Sequence, residues 1–239
     1  MQDGDACAKS FLSTFIRPDL SQTGIQAIHL ETLEFEARLC TPTNGTRGGV
    51  NTNIPVVHYE RMKTAMKTLT KHEPVYTEHI VERYGHTNDN ITSSRAESEY
   101  TFRHKKKLGT LDMAATGTPF DIRLAASLEL PVRNNPTSAD VTSRLMKRRW
   151  SFTIGKNLRV DFTRLEFLSS NDERRVTSQT PDDEYQVEIE IVDSHAAMRS
   201  GVSPDAIWTQ MKELIAYLAE ACDMQRNVVT YRFIKKRLY

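Results

Sequence analysis

Residues 33–39 read LEFEARL, residues 158–167 read LRVDFTRLEF and residues 184–192 read EYQVEIEIV. In each stretch apolar side chains alternate with polar ones that are mostly charged, the period-two pattern of a β-strand with one face against an apolar layer. Because alternate residues of a strand share a face, Glu34, Glu36 and Arg38 lie together, as do Arg159 with Asp161 and Glu188 with Glu190.

The same alternation recurs in YTFRHKKKL (100–108), FDIRLAASLEL (120–130) and KRRWSFTI (147–154). These contribute Arg103, Lys105 and Lys107; Asp121, Arg123 and Glu129; and Lys147 and Arg149 to single faces. Between the segments lie TPTNGTRGG (41–49), PVRNNPTSAD (131–140) and SSNDERR (169–175), whose Gly, Pro, Asn, Asp and Ser content suits loops joining antiparallel strands. The pattern predicts a mainly antiparallel β protein with no internal repeat.

Two helices are expected to cover the sheet. One spans about Tyr59 to Leu69, with Met62, Met66 and Leu69 on one face. The other starts after Ser203-Pro204, where Ser203 serves as N-cap and Pro204 takes the first helical position; Ile207, Met211, Leu214, Ile215, Leu218 and Cys222 form its apolar stripe.

The 239 residues, 38% of them hydrophobic, suffice for one substantial core, so the chain is read as a single domain over 1–239 with charged strands over 31–192 and a C-terminal helix and tail over 203–239. Lys and Arg number 32 against 31 Asp and Glu, which argues against a broad attraction to nucleic acid or anionic membranes and requires any phosphate site to be local. Cys7, Cys40 and Cys222 have neither zinc-site spacing nor a disulfide framework, and no apolar run approaches the roughly 18 residues of a membrane span. The reading is a soluble intracellular protein with no membrane partner.

Half-buried strands ordinarily turn a mixed polar face to water, yet here that face is charged on strand after strand, and like charges adjacent on a strand repel unless something neutralises them. Either these faces are solvated, or they converge inside a closed barrel whose apolar faces point outward against helices and loops. A Glu-x-Glu pair sets two carboxylates about 7 Å apart on one face. Glu34 with Glu36 near the start and Glu188 with Glu190 near the end would bring four carboxylates together if the first and last sheet strands pair. Such an all-oxygen cluster suits Mg²⁺ or Mn²⁺.

At these residues the chain resembles the triphosphate tunnel metalloenzymes, and among them the metal-dependent RNA triphosphatases of fungal and protozoan mRNA capping. The family's first strand carries Glu-x-Glu and a basic residue, matched by Glu34, Glu36 and Arg38. Its Lys-x-Arg strand is matched by Lys147 and Arg149, its Arg-x-Asp-x-Thr strand by Arg159, Asp161 and Thr163, and its acidic strand by Glu129 in SLELPV. The last motif, normally three alternating glutamates, reads Gln186, Glu188 and Glu190, so its first position has lost a charge. Arg95 and Arg103 are both candidates for the family's arginine on an earlier strand.

The resemblance implies an eight-stranded closed β-barrel with a few covering helices. It implies that Glu34, Glu36 and Glu190 bind a divalent cation, Mg or Mn. Substrate phosphates would meet Arg38, Arg95 or Arg103, Lys105, Lys107, Arg123, Lys147, Arg149 and Arg159. Glu129 or Glu188 would orient the attacking water and Asp161 would orient Arg159 or a metal-bound water.

The implied activity is conversion of a 5′-triphosphate RNA end to the diphosphate, the first step of mRNA capping, with nucleoside triphosphates also accepted. A capping guanylyltransferase as partner and a nuclear location follow from that role alone. A tripolyphosphatase or small-molecule triphosphatase of the same fold, and a noncatalytic RNA-binding β-barrel adaptor, are the competing readings.

Overall fold

The computed structural model describes residues 3–16, 32–42, 50–84, 91–96, 99–132, 141–168, 183–199, 201–222 and 230–238. In chain order the elements are α1 (Gly4–Phe15), β1 (Leu33–Cys40), α2 (Val56–Thr70), β2 (Val75–Tyr84), β3 (Ile91–Ala96), β4 (Glu99–Thr116), β5 (Asp121–Pro131), β6 (Val141–Ile154), β7 (Leu158–Leu168), β8 (Glu184–Ile191), α3 (Ser194–Arg199), α4 (Pro204–Glu220) and β9 (Thr230–Leu238). No helix among the described residues is long and apolar enough to cross a membrane.

All of the strand pairings are antiparallel, in the order β3-β2-β6-β7-β8-β1-β5-β4-β9. The first and last charged strands do pair: β1 lies beside β8 as well as β5. In place of the expected closed ring of eight, the sheet is a row of nine strands with β3 at one end and β9 at the other, and β3 also pairs with β4 from Ile91↔His104 to Ala96↔Glu99.

The ninth strand has a plain physical origin. β4 runs for 18 residues, and only its first part is matched by β3; the edge over Gly109–Thr116 would otherwise present unpaired backbone groups, and β9 satisfies them. The tail that sequence alone left undefined is therefore part of the sheet.

The apolar faces do point toward the helices. Phe35, Ala37 and Leu39 of β1, Val160 and Phe162 of β7, and Val187 and Ile189 of β8 join one core with Phe11 and Leu12 of α1, Tyr59, Met62 and Met66 of α2, and Trp208, Met211 and Leu218 of α4. Ring edges knit this layer, with Tyr59 against both Phe162 at 5.5 Å and Tyr185 at 5.0 Å. Full burial of each such aromatic contributes roughly 2–3 kcal/mol.

The two expected helices form, with altered details. α2 begins at Val56 behind Pro55, and its buried stripe is Tyr59, Met62 and Met66; Leu69, expected on that face, is 43% exposed at the helix end. In α4 the Ser203 hydroxyl accepts from the Ala206 N–H at 3.1 Å, the N-cap that its sequence announces. Cys222 is buried just beyond the helix.

Candidate active site

With the apolar faces taken by the helices, the charged faces of β1, β6, β7 and β8 turn to the opposite side of the sheet, and the register decides which charges meet. Glu36 is opposite Glu190 and Arg38 opposite Glu188 across β1 and β8. Arg159 is opposite Glu190, Asp161 opposite Glu188 and Thr163 opposite Gln186 across β7 and β8. Directly opposed residues share a face, so Arg159, Glu190 and Glu36 form one row and Asp161, Glu188 and Arg38 the next.

These rows floor a cavity of about 560 Å³ lined by Glu34, Glu36, Arg38, Arg103, Lys105, Glu129, Lys147, Arg149, Arg159, Gln186, Glu188 and Glu190, together with His79, Val81, Arg83, Leu145 and Leu165. A second opening of about 980 Å³ sits beside it at the Thr32–Glu34 end of β1, lined in part by Glu34, Glu129, Glu190 and Asp193.

Within the cavity each carboxylate is drawn to a cation. Lys105 pairs with Glu34, and Arg38 bridges Glu36, at 2.9 Å, and Glu188. Arg149 reaches Asp161 at 2.9 Å, Glu188 at 3.4 Å and the Thr163 hydroxyl at 3.3 Å. Arg159 forks, donating from Nε to Asp161 at 2.9 Å and from Nη2 to Glu190 at 2.5 Å. Arg103 donates to Glu129 at 2.6 Å. Lys147 is the exception: it makes no ion pair among the described residues.

The environment sets the charges. Burial raises Glu36, against the pull of Arg38 and with the push of Glu188. Burial also drives Glu190 up to about 8, the nearby Arg159 only partly offsetting it and Glu34 adding to it. Glu188 goes the other way: burial alone would raise it, but Arg38, Arg149, Lys147 and Lys105 together hold it down at about 2. Burial and the adjacent Arg149 lower the Lys147 ammonium to about 8. Burial, with Lys147 and Arg149, also lowers His79, favouring the neutral imidazole.

Of the residues singled out from sequence, Lys107, Arg123 and Asp161 do not line the cavity; Asp161 is fully buried beneath Arg149 and Arg159, which it pairs with. Arg123 is held by Asp112, donating to its two oxygens at 2.7 and 3.0 Å, and Lys107 is exposed where a bulge interrupts β4 before Gly109. Arg103 lines the cavity, while Arg95 sits in β3 opposite Ile80 and Tyr100 and its side chain lies outside the described residues. Sequence reasoning passed over His79 and Arg83. Their signal was the alternation His79, Val81, Arg83 in β2, a segment not recognised as a strand.

The donor set facing the cavity is chemically suited to a hard divalent cation, since Glu34, Glu36 and Glu190 offer only carboxylate oxygens and the raised Glu36 and Glu190 are the groups a nearby cation would relieve. Among the described residues no three His, Cys, Asp or Glu side chains are drawn together tightly enough to hold a metal as placed, because each carboxylate is engaged by a lysine or arginine.

The antiparallel sheet, with its charged rows of Glu, Lys and Arg lining one cavity, has the arrangement of the triphosphate tunnel class. The model of the family described as mRNA capping enzyme, beta chain, matches residues 57–230, and the chain belongs to this family, the RNA triphosphatases that act at the first step of mRNA capping. The match does not include β1, whose Glu34, Glu36 and Arg38 nevertheless line the same cavity.

The fold is similar to that of the S. pombe Pct1 RNA triphosphatase, solved alone and in complex with the Spt5 CTD. For the complex the TM-score is 0.69 at 15% identity, covering 91% of this chain and 92% of that one. For Pct1 alone the TM-score is 0.69 at 14% identity, covering 92% and 93%. The Mimivirus capping enzyme triphosphatase gives 0.58 at 12% identity over 88% and 96%. No curated protein matches the sequence. The triphosphate tunnel metalloenzymes depend in general on a divalent cation.

Proposed function

We propose that the chain hydrolyses the γ-phosphate of 5′-triphosphate RNA ends within a closed tunnel, with Mg²⁺ or Mn²⁺ held by Glu34, Glu36 and Glu190, and that nucleoside triphosphates share the site. The observation that carries this reading is Lys147, a half-buried ammonium without an ion-pair partner among the described residues, set among Arg149, Lys105 and Arg38 and facing carboxylates across one cavity. The Arg38 Nε is buried without a hydrogen-bond partner. A triphosphate supplies the missing acceptors, and an unsatisfied buried cation otherwise carries a full desolvation cost. Pairing of β3 with β4 supports tunnel closure, with that pairing as the seam.

The chain's own residues divide the work. A divalent cation bound to the three glutamates would polarise the γ-phosphoryl oxygen as a Lewis acid. Phosphoryl transfer leaves a protein little covalent chemistry, so Lys147, Arg149, Arg159, Lys105, Arg38 and Arg103 act by positioning the phosphates and offsetting charge on the equatorial oxygens. Asp161, bonded to Arg159 and paired with Arg149, fixes both guanidiniums.

Of the two candidates for orienting water, Glu129 is favoured. Glu188 is clamped between Arg38 and Arg149 and held at about 2, which makes it a weak proton acceptor and a positioning residue. Glu129 lies at the cavity rim and, among the described residues, forms its ion pair with Arg103 only. A capping guanylyltransferase partner and a nuclear location accompany this role.

The test compares phosphate release from triphosphate-ended RNA, ATP and tripolyphosphate, each with and without Mg²⁺ or Mn²⁺. Metal-dependent turnover of the RNA is the expected result. RNA binding without turnover under every condition would return the chain to the adaptor reading, and turnover of tripolyphosphate but not RNA to the small-molecule one.

A further inference from the structure

The cations of β9 take no part in the site just described, and the register shows where they point. Lys235 is opposite Asp112 on β4, Asp112 is opposite Arg123 on β5, Arg123 is opposite Arg38 on β1, and Arg38 is opposite Glu188 on β8. A parallel row runs from Arg237 through Thr110, Ala125 and Glu36 to Glu190. Since opposed residues share a face, Lys235 and Arg237 project from the same face of the sheet as the cavity-lining charges. A bulge between Asp112 and Met113 resets the alternation, so that Tyr231 and Phe233 face the helices, Arg232 shares the cavity face, and Lys235 and Arg237 return to it.

Beyond its pairing with β3, then, β4 carries β9 as an apron that prolongs the cavity face outward. Lys107, Lys235 and Arg237 are exposed on it and make no ion pair among the described residues, while the nearby Asp112 is already taken by Arg123. The apron is firmly hung. The Tyr231 ring meets Trp208 at 5.3 Å, and Gly4 packs so closely that a Cβ there would lie 2.5 Å from the Tyr231 carbonyl oxygen.

Charge distinguishes the two ends of the face. β9 flanks the part of β4 that pairs, through β5, with Phe35–Leu39, whereas at the 980 Å³ opening by the Thr32–Glu34 end the carboxylates Glu34, Glu129, Glu190 and Asp193 outnumber the one lining cation, Arg103. A polyanion attached to a triphosphate in the cavity is repelled at the acidic end and attracted at the basic one. From this geometry we infer that the RNA chain following the triphosphate end leaves along the β9 apron, its first phosphodiesters contacting Lys235 and Arg237 with Lys107 beside them. The inference rests on the proposed RNA substrate. β9 lies outside the family match except for Thr230.

The experiment uses the full chain with Lys235→Gln/Arg237→Gln and a charge-preserving Lys235→Arg/Arg237→Lys control. Two lost phosphate contacts on a single strand should raise KM for a short triphosphate-ended RNA roughly tenfold near physiological salt and flatten the log–log salt dependence of its binding by about 1.4. KM for ATP and for tripolyphosphate should not move, and the control should bind RNA as the wild type does.

Unchanged RNA affinity and salt slope in the Gln variant would overturn the apron, including in favour of an acidic protein as its occupant. An equal rise for ATP would overturn it too, by assigning the two cations to the triphosphate itself. A wild type inert toward every triphosphate would strike the parent reading instead. The salt slope of RNA binding still decides the apron in that case.

Discussion

Glu36 and Glu190 stand directly opposite one another on neighbouring antiparallel strands, and burial raises the proton affinity of both. Like-charged residues in register are destabilising on an ordinary sheet surface. Their opposition here makes sense as a device that is relaxed by a bound cation or, without one, by a proton.

The proton has a measurable signature. With Glu190 at about 8 in the folded chain and 4.5 as its ordinary value, the native state binds more protons than the unfolded one between those values, so stability from this group is full below 4.5 and is lost as pH rises through 8. Glu188, held at about 2, acts oppositely: its contribution is present above 4.5 and is lost as pH falls toward 2. The metal-free melting temperature should therefore decline between pH 4.5 and 8, and Glu190→Gln should flatten that decline. A decline of equal slope in the variant would assign it to another group.

Removing the proposed metal carboxylates one at a time should reduce metal-dependent phosphate release by about 100-fold or more for each of Glu34→Ala, Glu36→Ala and Glu190→Ala, with circular dichroism near wild type. In the wild type, Mn²⁺ with tripolyphosphate at a hundredfold excess over Kd should add about 2.7 kcal/mol, or roughly 5–10 °C in Tm. An equal shift in Glu34→Ala/Glu36→Ala would place the ligand away from these glutamates.

Arg159→Lys should remain impaired in turnover by about tenfold or more, since one ammonium cannot hold Asp161 and Glu190 as the guanidinium fork does. Steady-state kinetics at saturating metal reads this directly. Near-normal kcat would mean that Arg159 acts as a point charge only.

Lys147 sets an alkaline limit. Its ammonium, lowered to about 8, loses charge as pH rises past that value, so KM for the triphosphate should climb above pH 8. Lys147→Arg, which stays protonated, should shift the climb to higher pH even if its kcat is lower. A KM profile identical in both proteins would mean that another group titrates.

Much of this molecule is written locally. Strand alternation is a property of neighbouring residues, so β1, β5, β6, β7 and β8, their charged faces and the two principal helices could be read off as Glu34-x-Glu36, Arg159-x-Asp161 and Ser203-Pro204 stand in the chain. Family motifs on those strands carried the class of chemistry with them. What tertiary structure alone decided is which charge meets which. Glu36 faces Glu190 because β1 pairs with β8 in one register, and a one-residue slip would turn the opposed face away.

The same holds for the residues where expectation and structure part. Arg123 carries the right charge on the right face, but Asp112, eleven residues earlier, captures it; Lys107 meets a bulge; and β9 joins the sheet because β4 outruns its partner. Each outcome depends on contacts between segments distant in sequence or on the length of a neighbouring strand, which alternation within one segment cannot encode. Sequence determined the kinds of side chain available to this site, and packing of the strands determined their partners.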